Sequence, residues 1–276
     1  MSAAEAAAFR AAAGKPFSIG LSPIDPGDWI EVDEFHAEQC SLKTEILASE
    51  GAEAFDALPG SEAAQTEAAE RLAGHLRRRF PKISTTLAFD EPPLKAISRR
   101  VQEDLLLMSR QADGWSLVAG SLCFPTTWRL SEKIGRPMTA IHAAVPGFAG
   151  PTGERVHRIF DHLRPEAPVE RHNLSVYADA ELRHETSKTG RDRFPEDASI
   201  RSLAHLRVER QTLTRLPATS TILFTVRIHL MPLSDAPARL RGQVRAHVAA
   251  MTDAQLAYKG LKASRERLLA ALDGGA

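Results

Sequence analysis

Apolar residues recur at helical spacing over residues 28–49, at Trp29, Val32, Phe35, Leu42, Ile46 and Leu47, and predict a long helix with Asp28 as its cap. A second helix is predicted over residues 62–80, stopped by Pro81. A third is predicted over residues 93–110, with Leu94, Ile97, Val101, Leu105 and Met108 along one face. After Gly114 the period changes to two, and Trp115, Leu117, Ala119, Ser121 and Cys123 share one side of a predicted strand. Residues 153–163 again read as helix and residues 171–178 as a short strand. The clearest β signal is a hairpin, with strands over residues 203–213 and 221–230 and a Pro-containing turn over 215–220. Residues 238–272 read as helical, with Leu256, Leu261, Leu268 and Leu269 as core candidates.

In the second hairpin strand Ile222, Phe224, Val226, Ile228 and Leu230 share a face, while Thr221, Leu223, Thr225, Arg227 and His229 share the other. In the first, Leu206, Val208 and Arg210 face one way, and His205, Arg207, Glu209 and Gln211 the other. One apolar and one polar face suggest an antiparallel sheet. The polar face then meets solvent or lines a polar ligand pocket.

Helices first, strands in the middle and helices last give an α+β fold rather than alternating βαβ units. Residues 1–15 read as a frayed or helical tail and residues 16–25 as an extended lead-in, stopped by Pro26-Gly27. Residues 16–276 are expected to form a single domain with helical extensions, and 51–60 and 185–197 are the expected loops.

Between the strand ending near Phe124 and the helix at 153 lies a segment, residues 122–147, that three prolines and two glycines keep irregular. It still carries Phe124, Trp128, Met138, Ile141 and Val145, so it must wrap the core or a bound ligand. His142 stands there among small and apolar neighbours, where a neutral imidazole suits a metal; a hydrogen-bonded core histidine is the alternative.

The chain has 276 residues, 43% hydrophobic and 25% charged, as expected of a globular protein. Its 35 basic and 35 acidic residues cancel, which argues against partners such as nucleic acid or anionic membranes. Two cysteines, Cys40 and Cys123, exclude a disulfide framework or a four-thiolate metal cage, and Cys123 reads as a small buried hydrophobe rather than a thiolate ligand. With no signal-like or membrane-spanning run, a cytoplasmic location is expected. Walker, Gly-x-Gly-x-x-Gly, His-Glu-x-x-His and Gly-x-Ser-x-Gly motifs are all missing, so the chain shows no dinucleotide site of its own. His157 and His162 lie five apart on a predicted helix and point about 140° apart, a poor geometry for one metal.

Several segments occur in an order and spacing that resemble one family. They are residues 16–25 with Trp29 and Asp33, residues 101–105, then Phe124-Pro-x-x-Trp128. Glu132-Lys-Ile-Gly135, Ile141-His142 and Val145-Pro146 follow, then Arg171-His-Asn173, residues 208–213 and Arg215-Leu-Pro217. The set resembles the haem-dependent oxidative N-demethylases, the α subunit of dimethylamine monooxygenase and its relatives. It departs from the family pattern at Leu174, where Asn-Trp is usual, and at Ala144, where Pro-Val-Pro is usual.

The resemblance implies a PAS-like antiparallel sheet that holds haem b against one face. It implies a reaction in which O2 and two electrons oxidise an N-methyl group of a small amine such as dimethylamine. The carbinolamine then collapses to formaldehyde and the demethylated amine. It also implies electrons supplied from NADPH through a flavin and iron–sulfur reductase partner.

Within that resemblance His142 is the expected iron ligand, with His172 as the rival. Glu209 is the expected carboxylate for the cationic amine and an acceptor of its proton. Arg227 is expected to polarise bound oxygen or to pair with Glu209; a surface ion pair between the two is the alternative. Lys133 and Arg136 are expected near haem propionates and Trp128 near the macrocycle, against solvated or core roles. A haem-binding sensor or oxygen-binding module of the same fold is the competing function.

Overall fold

The hairpin is the centre of the molecule. The computed structural model describes residues 3–87, 90–184 and 192–274. In chain order the elements are α1 (Ala3–Ala12), β1 (Ser22–Pro23), α2 (His36–Ser49), β2 (Phe55–Ala57), α3 (Glu62–Arg79), α4 (Pro93–Ser98), β3 (Asp104–Gln111) and β4 (Gly114–Ser121). Then follow α5 (Met138–Ile141), α6 (Pro151–His162), β5 (Val169–Tyr177), α7 (Ile200–Leu203), β6 (His205–Arg215), β7 (Ile222–Pro232), α8 (Ala238–Ala249), α9 (Asp253–Lys259) and α10 (Arg265–Leu272). The strands form one seven-stranded sheet in the order β1-β5-β6-β7-β3-β4-β2, every neighbouring pair antiparallel. The fold is α+β, as expected.

Register assigns the two faces. Arg210 stands opposite Arg227 and Val208 opposite His229, while Glu209 stands opposite Ile228 and Gln211 opposite Val226. The polar row of β6 therefore lies beside the apolar row of β7, and neither face is a polar solvent face. On the Arg227 face, α1, α8 and α10 cover Leu174, Val176, Leu206, Val208 and Met231. On that same face α3 and α4 cover Leu105, Leu107 and Leu223. On the Glu209 face, Leu106, Met108, Leu213 and Ile222 pack under α6 and the irregular segment between β4 and α6.

Three predicted elements differ from those observed. The first long helix starts at His36, because Trp29 and Ile30 are buried in the core and Glu31 and Asp33 bind side chains of the sheet. Asp25, not Asp28, makes the capping bond there, accepting from the Gly27 amide at 2.7 Å. The third predicted helix ends at Ser98, and its second half is β3. Residues 104–108 are buried on both sides, and a doubly buried strand carries no period of two to separate it from a helix. In β4 the alternation breaks at Val118: the register passes from Leu107–Ala119 to Met108–Leu117, so Trp115 and Leu117 turn to the Glu209 face and Ala119 to the other. The expected tail is α1, and its Ala8, Phe9 and Ala12 are core residues. Within the expected loops, β2 occupies part of 51–60, and residues 185–191 lie outside the described residues.

The irregular segment is tied down at both ends. The Asp104 carboxylate accepts from the Cys123 amide at 2.8 Å and the Phe124 amide at 2.9 Å. Farther along, the Gly135 amide donates to the Leu117 carbonyl at 2.7 Å and the Leu117 amide to the Arg136 carbonyl at 3.2 Å. Between these anchors Leu130 plugs the sheet over Gly120, where a Cβ would stand 2.8 Å from Leu130 Cδ1. Replacing Asp104 by Ala strands two buried amides and removes the carboxylate 3.9 Å from the buried Lys43 ammonium. The expected loss is about 3–5 kcal/mol of folding stability in urea unfolding, with a smaller loss for Asp104→Asn, which keeps one acceptor oxygen.

Candidate haem site

A central strand of a covered sheet should be closed to solvent on both sides, and β7 is closed on one and, with Ile222 and Ile228 buried, only partly closed on the other. On the Arg227 face Leu223, Thr225, Arg227 and His229 are buried; on the Glu209 face Phe224 and Val226 remain half-buried. The apolar side chains that pack around that face from the irregular segment, Trp128, Ile134, Ile141 and Val145, are likewise only partly buried. An apolar floor and wall are thus left partly open over the middle of the sheet.

His142 caps the C-terminus of α5, and its ring stacks on Phe148 with centroids 4.5 Å apart and 15° between the planes. Phe148 belongs to the cluster against which Phe224 packs. His142 Nδ1 lies 2.9 Å from the Met138 carbonyl. A carbonyl can only accept, so Nδ1 carries a proton, and in the neutral form of the ring the lone pair is on Nε2. That is the arrangement in which a second hydrogen bond orients a metal-binding imidazole. Lys133 donates to the Ile141 carbonyl at 3.1 Å, so its ammonium fixes the turn that carries His142. Arg136 is exposed.

Next to the apolar floor the same face becomes polar. Glu209 accepts from Gln211 Nε2 at 2.6 Å and Asn173 Nδ2 at 3.3 Å. Burial works against its charge, but the Thr126 hydroxyl, the Arg207 and Lys259 cations and Asn173 together hold its carboxyl below the usual range. Arg207 is wholly buried and donates to the Phe124, Glu181 and Leu182 carbonyls and to Thr126 Oγ1. Lys259, from α9, donates to Asn173 Oδ1 at 3.1 Å. Burial, with the Glu209 and Tyr177 charges adding to it, pushes the Tyr258 phenol up to about 12. Arg171 also points to this face, and its Nε is buried without a hydrogen-bond partner among the described residues.

Two expected site residues lie elsewhere. Arg227 is on the opposite face from Glu209 and cannot pair with it; it binds Asp33 and Gln39 Oε1 instead. His172 stands opposite Arg210 in the register, again on the Arg227 face, so it does not share a site with His142. Burial first, and then the nearby Arg210 cation, hold His172 below the usual range although Glu170 pulls the other way. Cys123 is buried, and burial pushes its thiol up to about 12, which fits the hydrophobe reading. Arg207, Lys259, Tyr258 and Thr126 escaped the sequence reading. Arg207 shares the two-residue alternation of Glu209, which is a usable signal; the others come from distant segments.

The residues of the Glu209 face suit a flat apolar cofactor: a half-open apolar floor, a tautomer-fixed imidazole and the Arg171 cation with an unused N–H for a carboxylate. A model of the family described as haem-dependent oxidative N-demethylase, alpha subunit-like, matches residues 20–269. The chain belongs to that family. The match spans both the His142 segment and the Glu209 strand, and among the described residues no helix is long and apolar enough to cross a membrane.

Burial is the largest influence on His75, His172, His184 and His247, and all four are held below the usual histidine range. The unfolded chain takes up these protons near pH 6.5 while the folded chain resists them. Stability is therefore expected to be fully present above about pH 6.5 and to fall as the pH drops below it. Urea midpoints measured from pH 8 to pH 5.5 check this; a flat or rising midpoint on acidification contradicts it.

Proposed function

We propose that the chain is the haem-binding subunit of an oxidative N-demethylase acting on a small N-methylated amine of the dimethylamine type. In this reading the sheet is PAS-like. Its β3–β4 hairpin, helical connection and β5–β6–β7 meander support that assignment. Haem b would lie against the Glu209 face, where His142 Nε2 would hold its iron and Arg171 would pair with a propionate. Trp128, Ile141 and Val145 exclude water from the apolar side. The observation that carries the reading is the open apolar floor at Phe224 and Val226 in an otherwise closed central strand.

When bound, haem supplies the oxygen activation that converts an N-methyl C–H into C–OH. The chain's own part is to bind and orient the amine. A small secondary amine arrives protonated, with a pKa near that of lysine, roughly 10. Glu209 is buried, anionic and held below the usual carboxylate range, so it matches that cation. Its low pKa makes it a poor base for so basic an amine, and its role is to hold the ammonium rather than to remove its proton. Arg207 fixes Thr126, and Thr126 with Asn173 and Gln211 fixes Glu209. Electrons come from a separate NADPH-dependent flavin and iron–sulfur reductase, in keeping with a chain that has two cysteines and no dinucleotide loop.

Purified protein reconstituted with haemin should show a Soret band, and His142→Ala should lose haem or turn it to a weakly ligated high-spin form. Unchanged haem content and spectrum in that variant would take the ligand role from His142. Glu209→Gln should keep the Soret band and weaken amine affinity by roughly tenfold to a hundredfold in amine titrations of the spectrum. Formaldehyde release from dimethylamine on chemical reduction in air tests turnover. A haem spectrum without it makes the chain an oxygen-binding module.

A further inference from the structure

A cavity of about 270 Å³ opens between the Pro26 turn and α3, with Trp29, Arg71, Gly74, His75 and Arg78 in its lining. It lies away from the Glu209 face, since Trp29 and α3 pack over the Arg227 face. Three nitrogens on its lining residues are shut off from solvent and have no hydrogen-bond partner among the described residues: Trp29 Nε1, Arg71 Nε and His75 Nε2. Trp29 is 6% and His75 3% exposed, and buried polar atoms at such depth are nearly always paired. An indole N–H and a guanidinium N–H can only donate, so what the cavity lacks is an acceptor.

Charge points the same way. Arg71 and Arg78 form no ion pair among the described residues, whereas neighbouring Arg79 is spent on the Gly27 carbonyl at 2.9 Å and on Asp28. Among the described residues Glu70 is the one acidic residue in the lining. Burial and the Arg78 and Arg79 cations keep His75 below its usual range although Asp28 pulls the other way, so the positive field reaches the cavity wall. The absent side chain of Gly74 leaves room beside Arg78, whose Nη1 is 3.4 Å from where a Cβ would stand.

We infer that this cavity binds a small oxyanion, a carboxylate or a phosphate, through the indole N–H of Trp29, His75 and the guanidinium groups of Arg71 and Arg78. The apolar surfaces of Pro26 and Trp29 shield the anion, and the two arginines supply its charge-assisted hydrogen bonds. The site is independent of haem, and its occupancy can be read without turnover.

The test follows the Trp29 indole N–H resonance of the full chain, assigned with Trp29→Phe, during titration with inorganic phosphate and, separately, acetate at constant ionic strength. A saturable shift is expected, and Arg78→Gln, a change at an exposed position, should weaken it by about tenfold at an unchanged unfolding midpoint. Arg71→Gln with Arg78→Gln should abolish it. Saturation by phosphate alone assigns the site to phosphate, and saturation by acetate alone to carboxylates. No saturable shift with either anion, or a shift that survives the double variant, overturns the inference.

Discussion

Two arginines face each other across the central strands, and much of the N-terminal half is arranged to neutralise them. Arg210 and Arg227 are directly opposed in the β6–β7 register, both nearly shut off from water, and like charges in that position repel. Glu170 lies 2.7 Å and Glu31 3.6 Å from Arg210 Nε, and Asp33 pairs with Arg227. Arg210 also donates to the Asp28 and Trp29 carbonyls, and Glu31 holds His229 Nε2 at 2.9 Å. Residues 28–33 leave a short 3-10 turn without entering a further helix, and so bring these groups to the sheet. Buried ion networks add little net stability, but they penalise any register that leaves a charge alone.

Fixing that register fixes the other face as well. With Arg210 committed to one side, Glu209 and Arg207 must turn to the other, beside the apolar row of Phe224, Val226 and Ile228. An anionic carboxylate next to an apolar hollow is costly unless donors surround it, and Asn173, Gln211, Thr126, Arg207 and Lys259 provide them. The result is a buried carboxylate, held below its usual range by the donors around it, beside a partly exposed apolar surface. The irregular segment supplies the wall and His142. Asp104 pins its start, and hydrogen bonds to β4 pin it again at Gly135 and Arg136.

Long, singly buried elements were the legible part. Helix α3 and the C-terminal helices follow the apolar period, because each buries one stripe and wets the other. The β6–β7 hairpin, largely buried on both faces, is the exception and was legible from its alternation and its Pro-containing turn. The segment around His142 was readable too: no proline-broken stretch keeps Phe124, Met138 and Val145 unless it covers something. Elements buried on both sides or crossed by the charge network were misread. In β3 all five residues from Asp104 to Met108 are buried, and between Trp29 and Asp33 the helical spacing is incidental.

What the sequence determined by itself was the α+β class, the family, the irregular segment that covers the sheet and the alternation that separates Glu209 from Arg210. What only the tertiary structure decided was which residues meet. It put His172 and Arg227 on the far side of the sheet, brought Thr126 and Lys259 to Glu209 from distant segments, and left β7 partly open on one face. The physical reason is that a strand's period of two assigns residues to faces, but only pairing and packing between strands decide what each face touches.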